Sequence, residues 1–323
     1  MKRLSTALGA LALATLTTLA PATYAQDYPS KPVRITVGMA PGGSNDTIAR
    51  LIGAELQERL SQPFIVENKP GANSTIATAE LKNASPDGYN LMLVISSHVT
   101  NTMLYPNLNY ALGDFKAVTI IADTPFVLVA NPKFPPNNVG ELMKYVEKSK
   151  DLVAFGTPGM GSTQHIAMEL MNQMGKMEMN HIPYKGGAPA QMDLIAGVIP
   201  LIFATPTQSL PAIRAGQVKA IGVTSEKRIP QLPDVPTLAE SGLPGYEANV
   251  WFGVVAPAKT PDNIIKFLNK EIVEIVKSDK VQAKLKEMGL NPVGSTSEQF
   301  QALLDNENTK WANVIKSADI KLQ

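Results

Sequence analysis

The sequence predicts an α/β protein folded as two lobes, each an open mixed sheet with helices on both faces. Two observations predict it. Apolar runs of strand length alternate with glycine-rich turns and helix-period segments along most of the chain. One strand–proline–helix unit also occurs twice, ending at Pro132 and at Pro257. Each copy is followed four residues later by a second proline, Pro136 or Pro261, and an apolar helical start. Two like units doing like work imply two related halves, each unit carrying the chain between lobes. The 323 residues suffice for two domains of ordinary size.

The elements follow in order. Lys2 and Arg3 precede an apolar run over residues 4–19, and small residues lead to Ala25. That is the pattern of a secretory signal peptide over residues 1–25, cleaved after Ala25. An uncleaved anchor fits less well, because Thr15, Thr17 and Thr18 interrupt the run and no later segment is long and apolar enough to span a bilayer. Residues 33–38 form an extended run stopped by Pro41, Gly42 and Gly43. Ser44, Asn45 or Asp46 is then expected to cap a helix with Ile48, Leu51, Ile52 and Leu56 on one face. Residues 64–67 read as a strand, 71–74 as a turn, 75–83 as a helix and 89–95 as a buried strand.

The second series begins near Pro125, with strands at 126–130 and 153–155 and a helix at 139–149. A turn over 156–161 opens a helix carrying Ile166, Leu170 and Met174. Further strands are expected at 201–204, 219–223 and 250–255. Helices at 262–277 and 297–315 then pack back on the first lobe. The lobes accordingly comprise residues 27–125 with 256–323, and residues 126–255.

Composition narrows the chemistry. There is no cysteine, so no disulfide or thiol chemistry is available. Removing Lys2 and Arg3 from the 29 Lys and Arg leaves 27 against 28 Asp and Glu, without the basic excess that nucleic acid requires. No His, Asp and Glu cluster has metal-ligand spacing and no cofactor motif is present, so neither a metal nor a cofactor is expected.

What remains is a set of glycine-rich turns before helices, where unpaired N–H groups and the helix dipole suit an anion. The first comprises Pro41, Gly42, Gly43, Ser44, Asn45 and Asp46, and the second Gly71, Ala72, Asn73 and Ser74. The third holds Gly156, Thr157, Gly161, Ser162 and Thr163, with His165 one turn further on. Arg34, Arg50, Arg59, Arg214 and Arg228 all lie outside these turns, so backbone amides, hydroxyls and waters are expected to hold a carboxylate rather than an arginine clamp. Tyr184 and Lys185 are candidates to supply a cation or hydroxyl. Ser97, Asn101, Thr205 and Trp251 are candidates to set pocket size. Ser162 with His165 invites a hydrolase reading, but both sit at one helix start and the Gly-x-Ser-x-Gly elbow is missing. A helix cap and a pocket-wall histidine are the better reading.

These residues carry a resemblance. Pro41-Gly42-Gly43 with Asp46 and Arg50, then Glu67-Asn68-Lys69-Pro70-Gly71-Ala72 and Pro86-Asp87-Gly88-Tyr89 begin the series. Gly156, Gly159, Gly161, Ser162 and His165 continue it, with Pro183-Tyr184-Lys185-Gly186 and Leu232-Pro233-Asp234-Val235-Pro236-Thr237. In this order the chain resembles the substrate-binding proteins of tripartite tricarboxylate transporters, the Bug family. The resemblance implies a periplasmic-binding-protein fold of the type II-like, Venus-flytrap kind, with two interlobe crossings and a cleft that closes on its ligand. It also implies a periplasmic location, no enzymatic activity, a small carboxylate ligand (dicarboxylate, tricarboxylate or aromatic acid), and membrane permease subunits as partners. A monomer is expected. By the same resemblance the turns at 41–46 and 71–74 hold one carboxylate, partly through waters, and the turn at 156–163 holds the far end. Many relatives carry a glycine pair where this chain has Asn73 and Ser74, so the geometry of that turn is open. Two rival roles remain: a ligand-presenting partner of a sensor kinase, and a periplasmic small-molecule hydrolase.

Overall fold

A computed structural model describes residues 28–184 and 186–320. The expected signal peptide and Lys185 lie outside the described residues. The chain begins with two strand–helix units, β1 (Val33–Val37), α1 (Ser44–Leu60), β2 (Phe64–Asn68) and α2 (Thr75–Lys82). A third unit, β3 (Asn90–Ile95) and α3 (Ser97–Leu104), leads to the long strand β4 (Phe115–Pro125). The helical spacing expected for α1 is borne out, with Ile48, Ile52 and Leu56 fully buried against the sheet.

The chain then enters the second lobe through β5 (Val127–Ala130), followed by α4 (Val139–Lys148), β6 (Val153–Thr157) and α5 (Thr163–Gly175). Next come β7 (Met179–Pro183), α6 (Gly187–Ala196), β8 (Leu201–Ala204), α7 (Pro206–Arg214) and β9 (Lys219–Val223). It returns through β10 (Asn249–Pro257) and ends in α8 (Asp262–Lys277), α9 (Asp279–Glu287), the two-residue β11 (Asn291–Pro292) and α10 (Ser297–Ser317).

Two mixed sheets result, one of six strands in the order β11-β4-β10-β3-β1-β2 and one of five in the order β7-β6-β8-β5-β9. The six-stranded sheet settles one boundary differently from the sequence. β10 lies between β4 and β3 from Asn249 onward, so residues 249–255 belong to the first lobe's sheet rather than the second's.

The two crossings are clasped by one side chain. Thr224, fully buried after β9, accepts the N–H of Phe126 at 2.7 Å and donates its hydroxyl to the carbonyl of Ala248 at 2.5 Å. Backbone bonds from Thr224 N to Phe126 O and from Ala248 N to Thr224 O complete the clasp. Around it the apolar core is continuous from Ile35 and Leu93 through Phe126, Tyr246 and Val250 to Phe155 and Leu201.

Candidate functional site

Strand register places six strand-to-helix loops at the junction between the lobes. β1, β2 and β3 run parallel, and β10 runs antiparallel to β3 with Phe252 opposite Ile95. The start of β10 also faces the end of β4, with Asn249 opposite Pro125. The carboxyl ends of β1–β3 therefore lie at the end where both crossings leave the lobe. In the second lobe Val127, at the crossing, pairs antiparallel with Ala204 at the end of β8. β6 runs parallel to β8 and to β7. Its three loops open on the same junction, as expected for an open α/β sheet.

The first loop holds Pro41, Gly42 and Gly43, all exposed. Sequence reasoning expected Ser44, Asn45 or Asp46 to cap α1; the capping residue is instead Gly43, without a side-chain bond. Asp46 is already inside the helix and reaches back, accepting the N–H of Gly42 at 3.0 Å. It also pairs with Arg50 at 2.9 Å. The Arg50 guanidinium and the Gly42 amide together hold the Asp46 carboxyl below its ordinary range. Arg50 in turn donates to Asn68 Oδ1 at 2.9 Å, and Asn68 Nδ2 donates to Met39 O at 3.2 Å. Arg50 thus braces the first loop against the end of β2 instead of reaching a ligand.

The second loop is unusual in its backbone. Gly71, Ala72, Asn73 and Ser74 have φ of 150°, 42°, 51° and 75°, a run in which three residues with side chains take a conformation that glycine normally supplies. Three bonds hold it there. Ser74 Oγ donates to Gly38 O at 3.1 Å, Asn73 Nδ2 donates to Asn101 Oδ1 at 2.9 Å, and Asn101 Nδ2 returns to Asn73 O at 2.8 Å. Asn101 is buried and fully engaged with this loop, and Ser97 is buried beside it on α3 with no partner for its hydroxyl among the described residues. Backbone conformation that costs energy and is locked by buried partners concentrates at binding sites.

In the second lobe Ser162 caps α5, its Oγ accepting the N–H of His165 at 3.3 Å. Thr163 and Thr157 are buried, and Gly156 is packed against Tyr184 and Ile199. The Tyr184 hydroxyl donates to Asp193 at 2.7 Å, and burial followed by that carboxylate raises it to about 12. Thr205 precedes α7, whose first residue is Pro206. His165 is buried, and its Nδ1 accepts the N–H of Gly161 at 3.1 Å. The ring is thereby tied to its own loop. Ser162 and the His165 ring share no hydrogen bond among those described, so no nucleophile–base pair is assembled.

Trp251, a candidate to set pocket size, and its neighbour Phe252 are buried core, and Trp251 Nε1 donates to Glu307 at 2.7 Å. Sequence reasoning did not find Asn68, Ser96 or His181. Ser96 Oγ accepts the N–H of Trp251 at 3.1 Å and so ties the end of β3 to β10. Only Asn68 carried a signal, its place in the Glu67–Gly71 motif. Among the described residues no group of three or more His, Asp and Glu is placed to hold a metal.

Two α/β lobes joined by two crossings, with helix N-termini gathered at the junction, define the class of two-lobed solute-binding receptors, and solved periplasmic binding proteins share the fold. The chain belongs to the tripartite tricarboxylate transporter receptor family, whose model matches residues 48–320. This is a family of solute-binding receptors, not of enzymes. Protein BugT of Bordetella pertussis is 35% identical over 302 residues, covering 93% of each chain. A Rhodopseudomonas palustris protein solved with adipate has a TM-score of 0.81 at 34% identity, covering 91% of this chain and 99% of its own. MatC from the same organism, solved with bound malate, has a TM-score of 0.77 at 32% identity, covering 89% and 100%.

Proposed function

We propose that this chain is a periplasmic receptor that captures a small carboxylate between its lobes and delivers it to the membrane permease subunits of a tripartite tricarboxylate transporter. One observation carries the reading: six strand-to-helix loops from two sheets open on one junction, and none of the five arginines outside the expected signal peptide lies in them. An anion there meets first-turn amides and helix dipoles, which bind carboxylate without a formal charge partner. In this reading residues 41–46 and 71–74, backed by Ser97 and Asn101, hold one carboxylate. Residues 156–163, with Tyr184 and Thr205 nearby, hold the other end of the ligand, and Lys185 is the candidate to supply a cation. The adipate and malate bound by similar proteins support a dicarboxylate over other acids. Lobe closure follows from a ligand that touches both sets of loops.

The test is a thermal-shift screen of protein unfolded and refolded to remove carried-over ligand. The panel is adipate, malate, citrate, glutamate and nicotinate, with mass spectrometry following each acid. An acid at 100 times its Kd stabilises by about 2.7 kcal/mol, which moves the midpoint by several degrees. A shift with the acid unchanged supports capture. No shift with any of the five removes the carboxylate reading, and a new product peak removes the receptor reading.

A further inference from the structure

Under the second-lobe loop lie two imidazoles in face-to-face contact. His165 on α5 and His181 on β7 stack with centroids 3.8 Å apart and planes 13° apart, and Phe155 of β6 stacks on His181 at 5.1 Å and 22°. Each ring holds one part of the loop between β6 and α5. His165 Nδ1 accepts the N–H of Gly161 at 3.1 Å. His181 Nε2 lies 2.6 Å from Thr157 Oγ1, and that hydroxyl oxygen accepts the N–H of Gly159 at 3.2 Å. The acceptor role fixes the tautomer of His165: its ring proton sits on Nε2, facing Glu169 Oε1 at 3.7 Å.

Gly159 and Gly161, with φ of 154° and 71°, are therefore held in conformations that a free glycine would visit among many. Ser162 N donates to Gly159 O at 3.2 Å, and the cap uses His165 N. None of these bonds uses the amides of Met160, Thr163 or Gln164, which stand at the start of α5. A loop whose amides are fixed before the ligand arrives loses less entropy on binding.

We propose that His165 and His181 are positioning residues for ligand capture: together they set the orientation of the 157–162 loop whose amides receive the ligand's far carboxylate. The role needs a flat face for the stack and an in-plane ring nitrogen that hydrogen-bonds the loop, a combination imidazole has and phenyl lacks. Burial, with the other ring adding to it at His165, keeps both imidazoles uncharged, lowering His165 to about 3 and His181 to about 4. The inference rests on the carboxylate reading above.

The experiment compares His165→Phe, which keeps the ring and loses the acceptor, with His165→Asn, whose Oδ1 replaces Nδ1. His181→Phe and His181→Gln form the matching pair at Thr157. Calorimetry measures Kd for whichever of adipate, malate, citrate, glutamate or nicotinate binds the wild type, and circular dichroism follows folding. Both phenylalanine variants are expected to bind at least about tenfold more weakly, as expected for an amide left unpaired. The asparagine and glutamine variants are expected to recover most of that loss. Phenylalanine variants that fold and bind like wild type overturn the inference, as do amide variants that bind no better than their phenylalanine counterparts. If His165→Phe does not fold, the His181 pair decides. Wild type that binds none of the five acids overturns the carboxylate reading itself, an outcome distinct from both.

Discussion

Asn73 and Asn101 hold each other twice, Asn73 Nδ2 on Asn101 Oδ1 at 2.9 Å and Asn101 Nδ2 on the Asn73 carbonyl at 2.8 Å. Asn101 is 1% exposed, so its amide has no water to fall back on. Asn101→Leu is expected to leave the Asn73 side-chain amide and carbonyl, both partly buried, without their partner. The cost is about 2 kcal/mol of stability, read as a lower denaturation midpoint in urea. The same variant is expected to bind its carboxylate more weakly, because the left-handed turn at 72–74 loses two of the three bonds that hold it.

Gly38 has no room for a side chain. A Cβ there would stand 2.4 Å from the Cβ of Ser74 and 2.9 Å from its Cα. The close approach brings Ser74 Oγ to the Gly38 carbonyl, so the second loop must move to admit a methyl group. Gly38→Ala is expected to lose about 2–3 kcal/mol by thermal unfolding. Gly113→Ala, where a Cβ meets nothing within 4 Å, is the control and is expected to change stability little.

Thr224 joins both crossings through one oxygen. Thr224→Val keeps the shape but strands the Phe126 N–H and the Ala248 carbonyl in a buried position. A loss of about 2–4 kcal/mol is expected, with Thr224→Ser recovering most of it. A valine variant as stable as wild type in chemical denaturation would show that the backbone bonds alone hold the crossings.

His98 gives a pH signature. Its ring is buried against Phe115 at 5.0 Å, neither nitrogen has a partner among the described residues, and burial lowers it to about 4. The unfolded chain takes up this proton below about pH 6.5 while the native state resists it down to about 4. The native state is therefore favoured above pH 6.5 and loses that advantage as pH falls. His98→Phe abolishes the effect. The stability of the variant relative to wild type is expected to rise by about 1.4 kcal/mol per pH unit between pH 6.5 and 4. A gap independent of pH, measured by urea denaturation at several pH values, would mean that His98 is already charged in the native state.

The opening strands β1 to β3 and the helix α1 were legible because they carry clean periodicity. Ile48, Ile52 and Leu56 mark the inner face of α1, and Asn90–Ile95 is an apolar run bounded by a turn. α3 was not legible: beside Val99 and Leu104 it buries Ser97, His98, Thr100 and Asn101, so polar residues break up any apolar stripe. β4 was missed because Lys116, Thr119, Asp123 and Thr124 interrupt its apolar residues. α6 and α7 were hidden by Pro189, Pro206 and Pro211, which read as breaks although the first two fall in opening turns. The candidate site divides in the same way. Glycines announce the turns from sequence, but the side chains that fix them, Asn101 for one and His181 for the other, stand 28 and 24 residues from their partners Asn73 and Thr157. Spacing along a chain does not report such pairings.

The strand order of the larger sheet constrains the sequence of folding. β4 has only β10 and β11 as neighbours, and both are made more than a hundred residues later. A chain that emerges amino end first therefore presents β1, β2 and β3 as a small sheet with β4 unpaired. Meanwhile the five strands of the other lobe already have all their partners. The continuous lobe is free to form early and the interrupted one must wait for the carboxyl-terminal segment. Until then β4 is a mostly apolar strand with both edges unpaired, the stretch most in need of a chaperone or of rapid completion.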